Sequence, residues 1–280
     1  MIYDQAEKLR DSVKSARIVT TVSGKGGVGK SLITLNLAVT LAKAGKKVLV
    51  FDMDVGFANL NILGGIESKH TLKEFFTGSK LRDIVESTKY GFWLLSGGNS
   101  TGDFYAFQLG ERERLFSEFY EFGGEMDFII FDTGAGYSRM LEGIYEASND
   151  FILVITPEPT AVVDGYTFMK LLAVKKVNSR FFLVVNMVND LAEGRALIER
   201  FELSTTRFTD LNFEKGFSII ADQQVRKAVR DQTPFTLSYR SIQPSLAIMG
   251  LSSVIAGEDL SDDKNRSFVD RIKNIFGLRR

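Results

Sequence analysis

Gly24-Lys25-Gly26-Gly27-Val28-Gly29-Lys30-Ser31 is the stretch from which the rest of the 280-residue chain is read. It satisfies G-x-x-x-x-G-K-[ST], follows an apolar run at Arg17–Ser23 and precedes helical spacing over Leu32–Ala44. Glycines permit a tight loop whose backbone N–H groups surround phosphate oxygens, helped by the N-terminus of the next helix. Lys30 then neutralises β- and γ-phosphate charge, and the Ser31 hydroxyl ligates Mg²⁺. The expected cofactors are ATP and Mg²⁺.

Outward from this loop, short apolar runs alternate with helical patterns. Lys47–Asp52, Gly91–Ser96, Asp127–Asp132, Phe151–Thr156, Arg180–Asn186 and Phe217–Ile220 read as further strands, and Arg112–Phe122 as a helix. Val48–Phe51, Phe128–Phe131 and Phe181–Val185 are continuously apolar, as expected of strands buried on both faces of a parallel sheet. The expected fold is a doubly wound α/β domain over residues 17–257, with a mostly parallel sheet flanked by helices. Asp52 and Asp54 follow the second strand, at the end where ligands bind in open α/β sheets. Side chains two apart on an extended segment point the same way, so both carboxylates can face the phosphates. Asp132 ends another strand and is followed by Thr133-Gly134-Ala135-Gly136. His70, the only histidine, is expected at the surface or as a cap beside Thr71.

Composition narrows the chemistry. Lys+Arg and Asp+Glu both number 35, so the whole chain carries no attraction for DNA, and no specific nucleic acid is expected. Zero cysteines exclude disulfides, thiolate zinc sites, cysteine nucleophiles and ordinary iron–sulfur ligation. Neither a signal peptide nor a spanning segment is evident, and the expected compartment is the cytoplasm.

The two ends depart from the α/β pattern. Residues 1–16 place Ile2, Ala6, Leu9 and Val13 on one helical face, too short a stripe for a domain. Such a segment either packs on the body or folds on a partner. After the polar stretch at Glu258–Asp263, residues up to 280 place Phe268, Val269, Ile272, Ile275, Phe276 and Leu278 along a stripe with basic residues beside it. That is the composition of an interfacial helix, although an ordinary packed last helix has the same pattern. Burying six such side chains is worth on the order of 10 kcal/mol at most, and ordering the segment costs a similar amount. Each basic residue adds about 1 kcal/mol at an anionic surface. One tail therefore binds weakly, whereas two on a dimer gain roughly 10²–10⁴ in avidity.

Lys25, an extra lysine at the start of the loop, makes the chain similar to the deviant Walker A ATPases of the MinD/ParA group. That resemblance implies slow, regulatory ATP hydrolysis in an ATP-bound homodimer, with Lys25 reaching the partner subunit's nucleotide. It implies that Asp52 holds metal-bound water, Asp54 orients the attacking water, and Asp132 is the Walker B-type carboxylate. By the same resemblance Gly136 senses the γ-phosphate through its backbone and Asn186 reads adenine. Ile220 departs from the group, which often has proline there, and so weakens the base pocket. Within the group the chain resembles the FlhG (FleN/YlxH) family of regulators of flagellar number and placement. Asp4-Gln5-Ala6-Glu7-Lys8-Leu9-Arg10, Asp132–Gly136, Thr156-Pro157-Glu158-Pro159-Thr160-Ala161 and Val225–Val229 carry that likeness. It implies attachment to the inner face of the cell membrane through residues 258–280. It further implies stimulation of an FlhF-type GTPase by Asp4, Gln5, Ala6, Leu9 and Arg10, with flagellar switch-complex proteins or a FleQ-type activator as further partners. The alternative is a MinD-like division or ParA-like DNA-partitioning ATPase.

Overall fold

The structure, a computed structural model, describes residues 16–53, 59–97 and 109–257. The strands are β1 (Arg17–Val22), β2 (Val48–Asp52), β3 (Glu86–Ser87), β4 (Trp93–Ser96), β5 (Phe128–Asp132), β6 (Asp150–Ile155), β7 (Arg180–Val188) and β8 (Phe213–Ile220). They form one sheet in the order β3-β4-β2-β5-β1-β6-β7-β8, parallel throughout except for the short β3 edge. The helices are α1 (Lys30–Lys43), α2 (Asn59–Gly64), α3 (Leu72–Phe76), α4 (Leu81–Ile84), α5 (Leu109–Gly123), α6 (Glu142–Ala147), α7 (Pro159–Val174), α8 (Leu191–Phe208), α9 (Gln223–Arg230), α10 (Phe235–Ser238) and α11 (Gln243–Ile255). This is the expected doubly wound fold.

Alternation along each central strand explains why those strands read as unbroken apolar runs. Ile18, Leu49 and Ile129 join a core with Phe119 of α5, Tyr145 of α6, Phe168 of α7 and Phe201 of α8. Their neighbours Val19, Val50 and Ile130 join the opposite core, with Ile33 and Leu37 of α1 and Ile248 and Leu251 of α11. Both faces are covered, so both sets of side chains must be apolar.

The edges are where reading and structure differ. β8 begins at Phe213, earlier than the Phe217 expected, because exposed Glu214 and Lys215 interrupt its apolar pattern, as suits an edge strand. Gln243 covers the upper part of that edge, its Oε1 accepting from Ile220 N at 2.9 Å and its Nε2 donating to Ser218 O at 2.7 Å. The cap beside His70 is Thr71, whose hydroxyl accepts from Lys73 N while Glu74 accepts from Thr71 N at 2.7 Å. The low pKa of Glu74 follows from those Thr71 bonds. Asp54, the segment with Asp4, Gln5, Ala6, Leu9 and Arg10, and the stripe from Phe268 to Leu278 all lie outside the described residues.

Candidate nucleotide site

The parallel register brings the expected residues to one edge of the sheet. Asp132 stands level with Thr21 of β1 on one side and Asp52 of β2 on the other. The loop between β1 and α1 rises beside them. Gly27 and Gly29 take φ values of 79° and 90°, the left-handed region that glycine occupies without strain. Gly29 serves as N-cap of α1, which has no side-chain cap and no acidic residue in its first turn. The helix therefore ends in unshared N–H groups and a positive dipole, an arrangement suited to an anion.

Charges inside the site are arranged around Asp132. Lys30 Nζ donates to Asp132 Oδ1 at 2.9 Å, and Thr34 Oγ1, one helical turn on, donates to the same oxygen at 3.1 Å. Asp132 is fully buried, and its Oδ2 has no hydrogen-bond partner. A buried carboxylate oxygen without a donor costs about 1–3 kcal/mol. A cation or its bound water satisfies it, so the site fits Mg²⁺ beside ATP. Asp52 is buried too, and its Oδ2 accepts from Leu60 N of α2 at 3.3 Å. Ser31, in the first turn of α1, is likewise buried. Among the described residues there is no group of three or more His, Cys, Asp or Glu that could hold a metal. Magnesium needs no such cage, since phosphate, water and one or two protein oxygens suffice.

Asn186, at the end of β7, reaches the loop from the opposite side. Its Nδ2 donates to Val28 O at 2.8 Å, and a Cβ added at Gly29 would meet that Nδ2 at 2.3 Å. The residue expected to face the base thus also braces the phosphate loop. Gly136 N donates to Ser23 O at 2.8 Å. An amide carries one proton, so contact with a γ-phosphate requires this bond to be exchanged.

Lys25 does not project freely. Its Nζ lies 2.5 Å from Glu158 Oε2 and 3.0 Å from Thr160 Oγ1, at the start of α7. Close by, a Cβ on Gly24 would meet the Asp164 backbone at 2.3 Å, so the loop and α7 are in direct contact. Sequence reasoning missed this tether, because the partners lie 133 and 135 residues apart. Thr34 was missed as well, although its spacing of one turn after Lys30 was visible. A separate cavity of about 740 Å³ at the amino ends of β7 and β8 contains none of the expected residues.

Beyond Gly136, Tyr137 packs between α6 and α7. Burial, reinforced by Glu142, pushes its phenol up to about 12. Glu142 is itself held low, mainly by a hydrogen bond from Lys175, whose Nζ is 2.7 Å away.

Residues 19–235 match the family of CobQ/CobB/MinD/ParA nucleotide binding domains. The chain is 29% identical to the antiactivator FleN of Pseudomonas aeruginosa, over 89% of each chain. It is 30% identical to the flagellum site-determining protein YlxH of Helicobacter pylori, over 95% of this chain and 93% of that one. MinD from Pyrococcus horikoshii, solved with Mg-ADP, superimposes with a TM-score of 0.65 at 25% identity, covering 86% of this chain and 96% of its own. The chain belongs to the CobQ/CobB/MinD/ParA nucleotide-binding family and is an ATPase. Within that family its sequence is similar, almost end to end, to the antiactivator FleN and the flagellum site-determining protein YlxH.

Proposed function

We propose that this protein is an ATP-driven switch that dimerises, attaches to the membrane and regulates flagellar number or placement by stimulating an FlhF-type GTPase. The observation that carries this reading is the near full-length similarity to FleN and YlxH, in a chain that also has the second lysine of the loop. When bound, ATP supplies the phosphoryl group and Mg²⁺ the counter-charge. Phosphate oxygens would draw Lys30 away from Asp132 Oδ1, leaving Thr34 as the donor to that oxygen and Oδ2 open to the metal or its water. Ser31 would supply a hydroxyl to the metal, Asp52 would hold water beside it, and Asp54 would orient the water for attack. Asn186 steadies the loop and presents its amide to the base. Lys25 leaves Glu158 and Thr160 and reaches the partner subunit's phosphates, so that dimer formation and hydrolysis share one residue.

Residues 258–280 then act as a pair of weak anchors, and residues 1–16 as the activating element. Gln5 can orient a water and Arg10 can stabilise transition-state charge in a second nucleotide site. A peptide of residues 1–16 is expected to raise GTP hydrolysis by an FlhF-type homodimer, and Gln5→Ala to lose much of that effect. An unchanged GTPase rate with both peptide and full chain would remove the flagellar reading. Sedimentation with DNA rather than anionic vesicles would instead favour a ParA-like partitioning role.

A further inference from the structure

The ring of Tyr137 is held on two sides. Its centroid lies 5.2 Å from that of Tyr145 in α6 and 5.7 Å, edge-on, from that of Phe168 in α7. Both neighbours are buried, and they contact each other at 5.6 Å. The phenol donates to Glu142 Oε1 at 3.2 Å, and the other oxygen of Glu142 accepts from Lys175, the C-cap of α7. Tyr137 also directly follows Gly136, whose N–H is bound to Ser23 O. At its other end, α7 begins with the residues that hold Lys25. One side chain thus joins the 134–136 loop to the helix whose first residues hold Lys25.

We infer that Tyr137 is a positioning residue for ATP hydrolysis: its ring sets the placement of the 134–136 loop and transmits displacement of that loop to α7. The inference rests on the reading that Gly136 N–H turns to the γ-phosphate. That exchange turns the Ala135–Gly136 peptide, one residue before Tyr137. A ring packed against Tyr145 and Phe168 cannot follow without displacing one of them, because close-packed interiors shift between discrete arrangements and do not yield continuously. Phe168 lies on the same helix as Glu158 and Thr160, so its displacement is felt where Lys25 is bound. The hydroxyl plays the lesser part, since the packed ring makes the contact with α7.

The test uses the full chain with Tyr137→Leu and Tyr137→Phe, measuring ADP affinity, KM and kcat for ATP, and backbone hydrogen exchange. Tyr137→Leu is expected to keep ADP affinity and KM within about threefold while kcat falls by about tenfold or more, and Tyr137→Phe to recover most of kcat. In wild type, a non-hydrolysable ATP analogue should alter exchange at 134–136 and at 158–164 relative to ADP. In Tyr137→Leu only the first change should remain. If exchange at 134–136 is the same with both nucleotides, the γ-phosphate reading fails and the inference with it. Loss of ADP affinity and kcat together would mean a structural role only. Should 134–136 respond while Tyr137→Leu keeps wild-type kcat and the response at 158–164, the inference alone is overturned. Tyr137→Met gives the same comparison if the leucine variant does not fold.

Discussion

Lys30 and Asp132 are mutual counter-charges before any nucleotide arrives, and both are almost wholly buried. Removing one partner of a buried pair leaves an uncompensated charge, at a cost of about 3–5 kcal/mol. Lys30→Ala is therefore expected both to abolish nucleotide binding and to lower the melting temperature. Calorimetry of binding and thermal unfolding separate the two effects. Adding Asp132→Asn to Lys30→Ala should restore most of the stability and none of the binding. If Lys30→Ala alone melts like wild type, the pair carries no stability. Lys25 is in the opposite situation. Its partner Glu158 is 64% exposed, and surface pairs of this kind are worth about 0–1 kcal/mol. So light a catch is readily exchanged for a phosphate. Glu158→Gln is expected to shift ATP-dependent dimerisation, followed by light scattering, to a several-fold lower ATP concentration, whereas Lys25→Ala binds ATP and stays monomeric. A higher ATP requirement in Glu158→Gln would mean that Glu158 supports the dimer and does not restrain it.

Among the elements, α1 and the central strands were legible because a single physical cause shaped each. Two-sided burial writes an unbroken apolar run into β2, β5 and β7, and phosphate binding writes glycines before α1. β8 was legible only in its second half, since solvent at the sheet edge admits Glu214 and Lys215. β3, two residues long, leaves no periodicity to detect. Within the site, Asp52, Asp132 and the loop could be placed from strand ends alone. The Lys25 tether and the Tyr137 contacts could not, because they depend on how α7 lies across the sheet, and no local pattern encodes that. The C-terminal segment is an element proposed from its sequence pattern. Deleting residues 264–280 is expected to leave ATP binding intact and to abolish sedimentation with anionic vesicles, and Phe276→Glu to do nearly the same. Sedimentation of the truncated protein would make the segment an ordinary terminal helix.

For the whole molecule, the placement of the described chain ends matters. Ala16 enters β1 at the amino edge of the sheet, where the buried Asp150 carboxylate is held by Arg17 and Arg180. α11 starts against Ser218 and Ile220 and passes Phe217 at Gly250, so it too runs toward that edge. Nucleotide residues occupy the carboxyl edge. In the proposed dimer, copies meeting through their nucleotides would join at the carboxyl edge, away from Ala16 and the end of α11. The exposure of the Lys25–Glu158 pair has a consequence for ionic strength. Added electrolyte screens exposed charges within about a Debye length, roughly 8 Å at physiological concentration, and enclosed pairs much less. In the proposed dimer it would loosen the catch on Lys25 while sparing the contact of Lys25 enclosed between subunits. On the proposed function, the same electrolyte would weaken the attraction of the basic C-terminal sequence to anionic lipid. At limiting ATP, raising potassium chloride should thus increase the dimer fraction and decrease the vesicle-bound fraction, so the protein passes from membrane to solution while its pairing strengthens.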